Sequence, residues 1–230
     1  MSAVETAMQG LRMMIASGEL SPGQKFPPEG DLCLKLGVSR SSLREAVRAM
    51  SALGVIESRH GSGTYVSSLE PAVILKGFSL LMDLVPLDSV LELFEIRRVL
   101  ESHAAAGAAA HTTPELMDQL GSLMDAMEAS DDSTEITNLD SQFHQAIYAA
   151  SGNATLAAFL DLFRSRGRHF NVLDGENAAT VRALSSSGHR AIAEAIGNRD
   201  PSSAATAAAG HVAQTEYWLR TLRPEPQPHR

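Results

Sequence analysis

Four side chains in the second half of the chain are of the types that bind transition metals. Asp140 and His144 stand four residues apart in Asp140-Ser-Gln-Phe-His144, so both would project from one face of a helix. His189 begins a later helical segment, and His211 lies in the last one. A carboxylate and three imidazoles suit Zn²⁺, Ni²⁺, Mn²⁺ or Fe²⁺ rather than Ca²⁺ or Mg²⁺. The residues alone leave a second interpretation open, in which each histidine is an ordinary core or surface residue.

One arginine is a candidate for binding an acid. Arg97 lies on a predicted helix that should face the same core, and it could hold a second carboxylate of an effector through a bidentate pair. The alternative for Arg97 is a surface ion pair with Glu101, four residues further on. Arg164, Arg166 and Arg168 alternate along another predicted helix and would spread around it, which favours a solvated or interface role.

Length and composition exclude several classes of protein. The chain has 230 residues, 44% of them apolar, so it can fold as one large domain or two small ones. Its longest apolar stretch, residues 71–87, is interrupted by Lys76, Asp83 and Pro86, which excludes a membrane span. The amino terminus lacks the pattern of a signal peptide, and Cys33 is the only cysteine. We therefore expect a cytoplasmic protein without an intrachain disulfide.

The charge is distributed unevenly along the chain. Residues 1–68 carry seven Lys or Arg and six Asp or Glu, whereas residues 69–230 carry twelve bases and twenty-one acids. Because binding to duplex DNA depends on neutralising phosphates, only the first segment is compatible with such a partner. Four of its arginines fall within twenty residues: Arg40, Arg44, Arg48 and Arg59.

The periodicity predicts a mainly α fold that begins with a winged helix-turn-helix domain over residues 1–68. The predicted elements are helices over Val4–Ser17, Glu29–Leu36 and Arg40–Leu53, followed by strands at 55–58 and 64–66. The strands flank His60-Gly61-Ser62-Gly63, a glycine-rich hairpin connection.

Residues 69–222 are predicted to form an all-α bundle of six or seven helices. The candidate helices are 71–84, 89–110, 114–130, 134–151, 153–170, 178–197 and 201–220. Proline and glycine mark most of the breaks between them. The proline-rich residues 223–230 have the composition of a disordered tail.

The third predicted helix has the chemistry of a DNA-reading helix. Its first turn would present Ser39, Arg40, Ser41 and Arg44 to a major groove, where hydroxyls reach phosphates and arginine reads guanine. The alternative is a winged helix used for protein docking, in which these arginines form a solvated face.

The motifs of this segment resemble those of the GntR family of bacterial transcription regulators. The matching motifs are Glu19-Leu-Ser-Pro-Gly23, Phe26-Pro-Pro-Glu29, Leu36-Gly-Val-Ser-Arg40, Leu43-Arg-Glu-Ala46 and Gly61-Ser-Gly-Thr-Tyr-Val66. The resemblance implies DNA contacts from Ser39, Arg40, Ser41 and Arg44, with His60 and Gly61 in the wing. The chain departs from the family at Gly30, where many relatives carry a basic residue that contacts DNA.

The second segment resembles the all-helical FCD domain of the FadR branch of that family. The motifs that carry this resemblance are Glu95-Ile-Arg97, Asp140-Ser-Gln-Phe-His144, Ala150-Ser-Gly-Asn153, His189-Arg-Ala-Ile192 and Gly210-His211-Val212. The resemblance implies a divalent metal held by Asp140, His144, His189 and His211, with two further coordination positions open to a 2-hydroxy or 2-oxo acid. Gly188 stands where the family commonly has an acidic residue.

Together these features predict a homodimeric regulator that is not an enzyme. It would bind a palindromic operator, and a small carboxylate effector, contacted by Arg97, would release repression. Three alternatives use the same four residues: a mononuclear metal-dependent enzyme, a direct sensor of the metal, and a purely structural metal.

Overall fold

The computed structural model describes residues 1–82, 84–167, 170, 172–173 and 176–226. Two compact units divide the chain, Met1–Leu80 and Leu81–Arg230. The described residues are mainly helical with one small antiparallel sheet, which confirms the predicted fold class.

The first unit is a winged helix-turn-helix. It contains helices α1 (Ala3–Ala16), α2 (Glu29–Leu36) and α3 (Arg40–Ala52), strands β1 (Ile56–Arg59) and β2 (Gly63–Val66), and the short helix α4 (Pro71–Lys76). Its core joins the three helices to the sheet, as Leu11, Leu32, Leu43, Met50 and Val66 form one buried apolar cluster. The amphipathic pattern of α3 therefore buries one face and leaves the other to solvent.

Local residues fix the turn before α3. Gly37 ends α2 in the left-handed conformation, with φ of 66°, which glycine adopts without steric cost. Ser39 then caps α3 by accepting a hydrogen bond from the backbone N–H of Ser42 at 3.1 Å. In the wing, Ile56 pairs with Val66, and Gly61 has a φ of 70° in the connection between the strands.

The helix predicted over 71–84 is instead two short helices, α4 and α5 (Ser79–Met82). They are separated at Gly77, where an added Cβ would lie 2.7 Å from the carbonyl oxygen of Ala52. A Cβ on Gly54 would lie equally close to the carbonyl oxygen of Val73. The segment around α4 thus contacts the residues at the end of α3, and the first compact unit extends to residue 80, beyond the domain boundary predicted at residue 68.

The second unit is built from six longer helices. They are α6 (Leu87–Ala110), α7 (Pro114–Ala129), α8 (Ser133–Ala150), α9 (Ala154–Gly167), α10 (Ala178–Gly197) and α11 (Pro201–Leu222). Helix α6 packs against α8, α9, α10 and α11. Its buried alanines, among them Ala104 and Ala108, allow this close approach because they carry little side-chain volume. Across the described part of the chain, no helix is both long and apolar enough to cross a membrane.

The end of α11 is held by a charged contact. Arg223 has a left-handed backbone conformation there, and its side chain donates a hydrogen bond to Asp88 at 2.7 Å. Of the predicted tail, residues 227–230 lie outside the described residues.

Candidate metal centre, ligand cavity and nucleic-acid interface

The structure brings together the four metal-binding side chains that the sequence singled out. Asp140 and His144 come from α8, His189 from α10 and His211 from α11. Each offers one donor atom, and all four donor atoms lie within 4.8 Å of one another. Since two metal–ligand bonds span about 4.2 Å, shifts of less than an ångström would bring all four onto one ion.

The imidazoles of this cluster contain buried nitrogen atoms that lack hydrogen-bond partners among the described residues. These atoms are His144 Nε2 and His211 Nδ1. A buried polar atom without a partner is costly, so two of them beside Asp140 and His189 fit a site for a divalent cation. Burial, together with the charge of Arg164, lowers the pKa of His144 well below its ordinary value. Burial and the neighbouring His189 do the same for the pKa of His211, so both rings are neutral, as metal binding requires.

The two oxygens of Asp140 have different partners. Its Oδ1 lies 3.0 Å from His189 Nε2 and 3.7 Å from His144 Nε2, whereas its Oδ2 accepts a hydrogen bond from Arg164 Nη2 at 2.6 Å. Burial raises the pKa of Asp140, but the guanidinium of Arg164 outweighs it, so that pKa lies well below the usual range. Arg164 thus keeps the carboxylate ionised and turns one oxygen toward the imidazoles.

Arg164 and Arg166 correct the sequence interpretation, which gave them a solvated or interface role. Both are buried, with 9% and 8% of their surface exposed, and Arg166 donates to the carbonyl oxygen of Val85 at 2.7 Å. The signal was present in the spacing, since Leu156, Leu160 and Arg164 repeat every four residues and share the buried side of α9. Arg168, the third arginine of that series, lies outside the described residues.

Arg97 forms the ion pair with Glu101 that the sequence offered as an alternative, but the pair is buried rather than on the surface. The Arg97 Nη2 to Glu101 Oε1 distance is 2.8 Å, and the two side chains are 5% and 2% exposed. The Arg97 guanidinium also lies over the ring of Phe94, 4.3 Å from its centroid. Glu101 links this pair to the cluster, because its Oε2 lies 3.4 Å from Arg164 Nη1 and 3.7 Å from His144 Nδ1.

Gly188 has a steric role that the sequence did not reveal. A Cβ at this position would lie 2.6 Å from His211 Nδ1, closer than two such atoms can approach. The absence of a side chain on α10 therefore lets the His211 ring lie against the helix backbone. This contact gives a physical reason for glycine at a position where the family commonly has an acidic residue.

A cavity of about 420 Å³ adjoins the cluster within the second unit. Asp140, His189, His211, Arg97 and Arg164 all contribute to its wall, together with apolar side chains from several helices. Pockets for small ligands typically have volumes of about 300–1,000 Å³, so the cluster faces a space large enough for an organic molecule.

The residues predicted to contact DNA are all exposed on the first unit. Ser39 and Arg40 begin α3, Ser41 and Arg44 follow in its first turns, and His60 and Gly61 form the tip of the wing. The hydroxyl of Ser39 is engaged with the hydroxyls of Ser41 and Ser42 at 2.8 and 2.9 Å. The three serine hydroxyls at the start of α3 therefore form one hydrogen-bonded group.

Arg44 has an acidic neighbour that fixes its direction. Its Nε donates to Glu29 Oε2 at 2.9 Å, which joins α3 to the first residue of α2. This hydrogen bond raises the pKa of Arg44, so the side chain stays charged. The next residue, Gly30, has open space around it, since an added Cβ would meet nothing within 4 Å.

The chain thus joins in sequence a winged helix-turn-helix, a fold that binds DNA in many transcription regulators, to an all-helical unit with a cavity. The family models agree: bacterial regulatory proteins of the GntR family match residues 3–66, and the FCD domain matches residues 92–214. The chain belongs to the GntR family and carries an FCD domain, which confirms the resemblance seen in its motifs.

Curated relatives support this assignment. The chain is 33% identical to the transcriptional regulator LutR of Bacillus subtilis, over 62% of this chain and 65% of LutR. It is 32% identical to an Escherichia coli regulatory protein named for the L-lactate dehydrogenase operon, over 69% of this chain and 64% of the relative. The chain thus spans less than two thirds of the length of these relatives.

Solved structures extend the likeness to the whole chain. A GntR protein of Streptococcus agalactiae is 30% identical, with a TM-score of 0.59, over 93% of this chain and 99% of that one. The McbR/YncC structure of E. coli, 20% identical with a TM-score of 0.54, covers 97% and 99% of the two chains and shares the fold. These relatives are regulators rather than enzymes, in agreement with the expectation for this chain.

Proposed function

We propose that this protein is a cytoplasmic DNA-binding transcriptional repressor whose affinity for its operator is controlled by a small organic acid. The acid binds at a divalent transition-metal centre held by Asp140, His144, His189 and His211. The observation that carries the proposal is the convergence of four donor atoms within 4.8 Å of one another, beside a cavity of about 420 Å³ in the FCD domain.

Each part of the cluster has a defined task in this proposal. The bound Zn²⁺, Ni²⁺, Mn²⁺ or Fe²⁺ supplies positive charge and coordination positions to a chelating acid. Arg164 holds Asp140 in place through its Oδ2. Arg97 uses Nε and Nη2 for Glu101, which leaves Nη1 to donate to an oxygen of the effector. Short 2-hydroxy and 2-oxo acids fit this chemistry, and the relative named for a lactate operon supports the class.

The DNA-binding half of the proposal rests on the exposed residues at the start of α3 and at the tip of the wing. Arg40 and Arg44 read base edges in the major groove, while Ser39 and Ser41 contact phosphates. His60 and Gly61 approach the adjacent groove from the tip of the wing. As a homodimer, the protein presents two such helices to the half-sites of a palindromic operator. Acid binding favours the state with lower operator affinity, which requires that the acid bind that state more tightly.

Native mass spectrometry of the full chain tests the metal part of the proposal. We expect a dimer with one metal per chain, and loss of the metal in Asp140→Ala and His211→Ala. His103→Ala is the matched control, because His103 is an exposed histidine on α6, outside the cavity. Full retention of metal by both cluster variants would refute the four-ligand centre.

Fluorescence anisotropy tests the regulatory part, with an operator duplex selected in vitro by the protein itself. A 2-hydroxy acid should weaken DNA binding by the unmodified protein and by His103→Ala, but not by His211→Ala. If added metal alone changes DNA affinity and no acid has an effect, the protein is a direct metal sensor instead. If neither changes it while chelation unfolds the second unit, the metal is structural.

A further inference from the structure

The cavity beside the metal cluster is elongated, with a polar end and an apolar end. On α11, Trp218 follows His211 by seven residues, a rise of about 10 Å. On α10, Val181 precedes His189 by eight residues, a rise of about 12 Å. The loop between these helices, residues 198–200, is too short for anything but an antiparallel pair, so both apolar residues lie at the same end.

Other helices add apolar side chains to the end away from the cluster. Phe94 on α6 and Leu219 on α11 belong to one buried apolar cluster, and both line the cavity. Ile136 lies one turn before Asp140 on α8 and also lines it. A short acid at the donor atoms would leave this apolar end in contact with water. A ligand with an apolar body would displace that water, and the burial of apolar surface would favour its binding.

The positive charges of the cavity are already matched by protein acids. Arg97 pairs with Glu101, and Arg164 with Asp140 and Glu101. Arg182 lies 3.7 Å from Asp131, and Arg190 pairs with Glu128. The two buried arginines of the cavity, Arg97 and Arg164, are thus already neutralised by protein acids, so a second carboxylate of the ligand beside them would lack a counter-charge of its own.

The apolar end contains a buried indole N–H. Trp218 Nε1 is buried and has no partner among the described residues. Its N–H can receive a weakly polar atom or the face of an aromatic ring of the ligand, and its indole ring supplies contact area.

We infer that the effector is a 2-hydroxy or 2-oxo monocarboxylic acid with a large apolar body, aromatic or branched, rather than lactate or a dicarboxylic acid. The acid head lies at the donor cluster, and the apolar body fills the end lined by Phe94, Val181 and Trp218. This inference rests on the proposed function, because it assumes that an acid binds at the cluster.

Isothermal titration calorimetry on the zinc-loaded full chain tests the inference with three probes: L-lactate, L-malate and 3-phenyllactate. We expect 3-phenyllactate to bind about 10- to 100-fold more tightly than lactate, as burial of a phenyl-sized group implies. Malate should bind no better than lactate. Equal binding of lactate and 3-phenyllactate, or tightest binding of malate, would overturn the inference and leave the proposed function intact. Binding of none of a broader set of hydroxy and oxo acids would overturn both.

A filling variant locates the apolar body. Val181→Phe should lower the affinity for 3-phenyllactate about tenfold or more and leave lactate binding unchanged, because it occupies only the far end of the cavity. Val99→Phe is the matched control, since Val99 is 68% exposed on α6 and outside this cavity. Trp218→Ala is a second test, because loss of the indole should weaken the binding of 3-phenyllactate and leave the binding of lactate unchanged. Unchanged 3-phenyllactate binding in both variants would refute this placement.

Discussion

The arginines that the sequence singled out for DNA binding and those beside the metal cluster have opposite surroundings. In the first unit, Arg40 is exposed at the start of α3, and the Arg44 side chain is 65% exposed beside its partner Glu29. In the second unit, the side chains of Arg97 and Arg164 are 5% and 10% exposed and bound to buried acids. Exposed guanidinium groups stay available to phosphates from outside, whereas buried ones hold other groups of the protein in place. We therefore expect Arg40 and Arg44 to contact DNA, and Arg97 and Arg164 to position groups of the proposed metal site.

The largest effect is expected from the buried arginine of α9. Arg164→Ala removes the partner of Asp140 Oδ2 and one of the partners of Glu101, so the metal-free protein should lose about 3–5 kcal/mol of unfolding free energy. Metal affinity should fall about 10–100-fold as Asp140 loses its orientation. Urea denaturation with chelator and a zinc competition titration measure the two effects. Arg190 forms an exposed ion pair with Glu128, so Arg190→Ala should change the free energy of unfolding by less than about 1 kcal/mol. Equal losses of stability in Arg164→Ala and Arg190→Ala would contradict the distinction between buried and exposed arginines.

An exposed arginine should affect DNA binding and nothing else. Arg40→Ala should weaken binding to the selected operator by about 1–3 kcal/mol and relax the base preference, as for the loss of a bidentate base contact. Stability and metal content should stay the same. Anisotropy titrations against operator and scrambled duplexes check this, with Arg12→Ala on α1 as an exposed control. Unchanged operator affinity would remove Arg40 from the recognition surface.

Two glycines sharpen the comparison between enclosed and open positions. Gly188→Ala should weaken metal binding about tenfold, or about 1.4 kcal/mol, since its Cβ would displace His211. Gly121→Ala on α7 meets no atom within 4 Å, so it should only stabilise its helix by about 0.5–1 kcal/mol. Zinc competition and thermal unfolding compare the pair. Full zinc affinity in Gly188→Ala would show that the ring moves aside at no cost.

The smallest effect is a predicted gain. Gly30→Arg adds a cation beside Glu29, in open space on the first unit, and should raise DNA affinity up to about fivefold, as for an exposed ion pair. Gly121→Arg makes the same change in charge on the second unit and should leave DNA affinity near that of the parent. A gain of the same size in both variants would mean that net charge, rather than position, is responsible.

Local residues were enough to predict most elements. Helices α2 and α10 have the predicted bounds, 29–36 and 178–197. Prolines and Gly37 fix the ends of α2, and such signals act within a few residues. The break at Gly77 is not predictable from local residues, because the close contact that leaves no room for a side chain there is with Ala52, far away in sequence.

Of the candidate metal site, only the four residues with donor atoms could be predicted from the sequence. Asp140, His144, His189 and His211 have the right types and spacing, and the structure places their donor atoms near one another. Their role as metal ligands stays a prediction. Arg164 and Gly188 were not recognised, because a buried ion pair and a close ring contact depend on distances between different helices. An arginine on an amphipathic helix is more often a surface residue, and only its alignment with Leu160 pointed inward.

Burial of the Arg97 and Arg164 pairs also makes them insensitive to ionic strength. At physiological ionic strength, charges in water are screened beyond about 8 Å, and protein–DNA affinity falls steeply with added salt. Pairs enclosed by protein are shielded from counterions, so the orientation of Asp140 should not change. A bacterium that raises its internal potassium under osmotic stress would therefore loosen the proposed contacts of α3 with DNA, while the cavity would continue to bind its acid with the same preference.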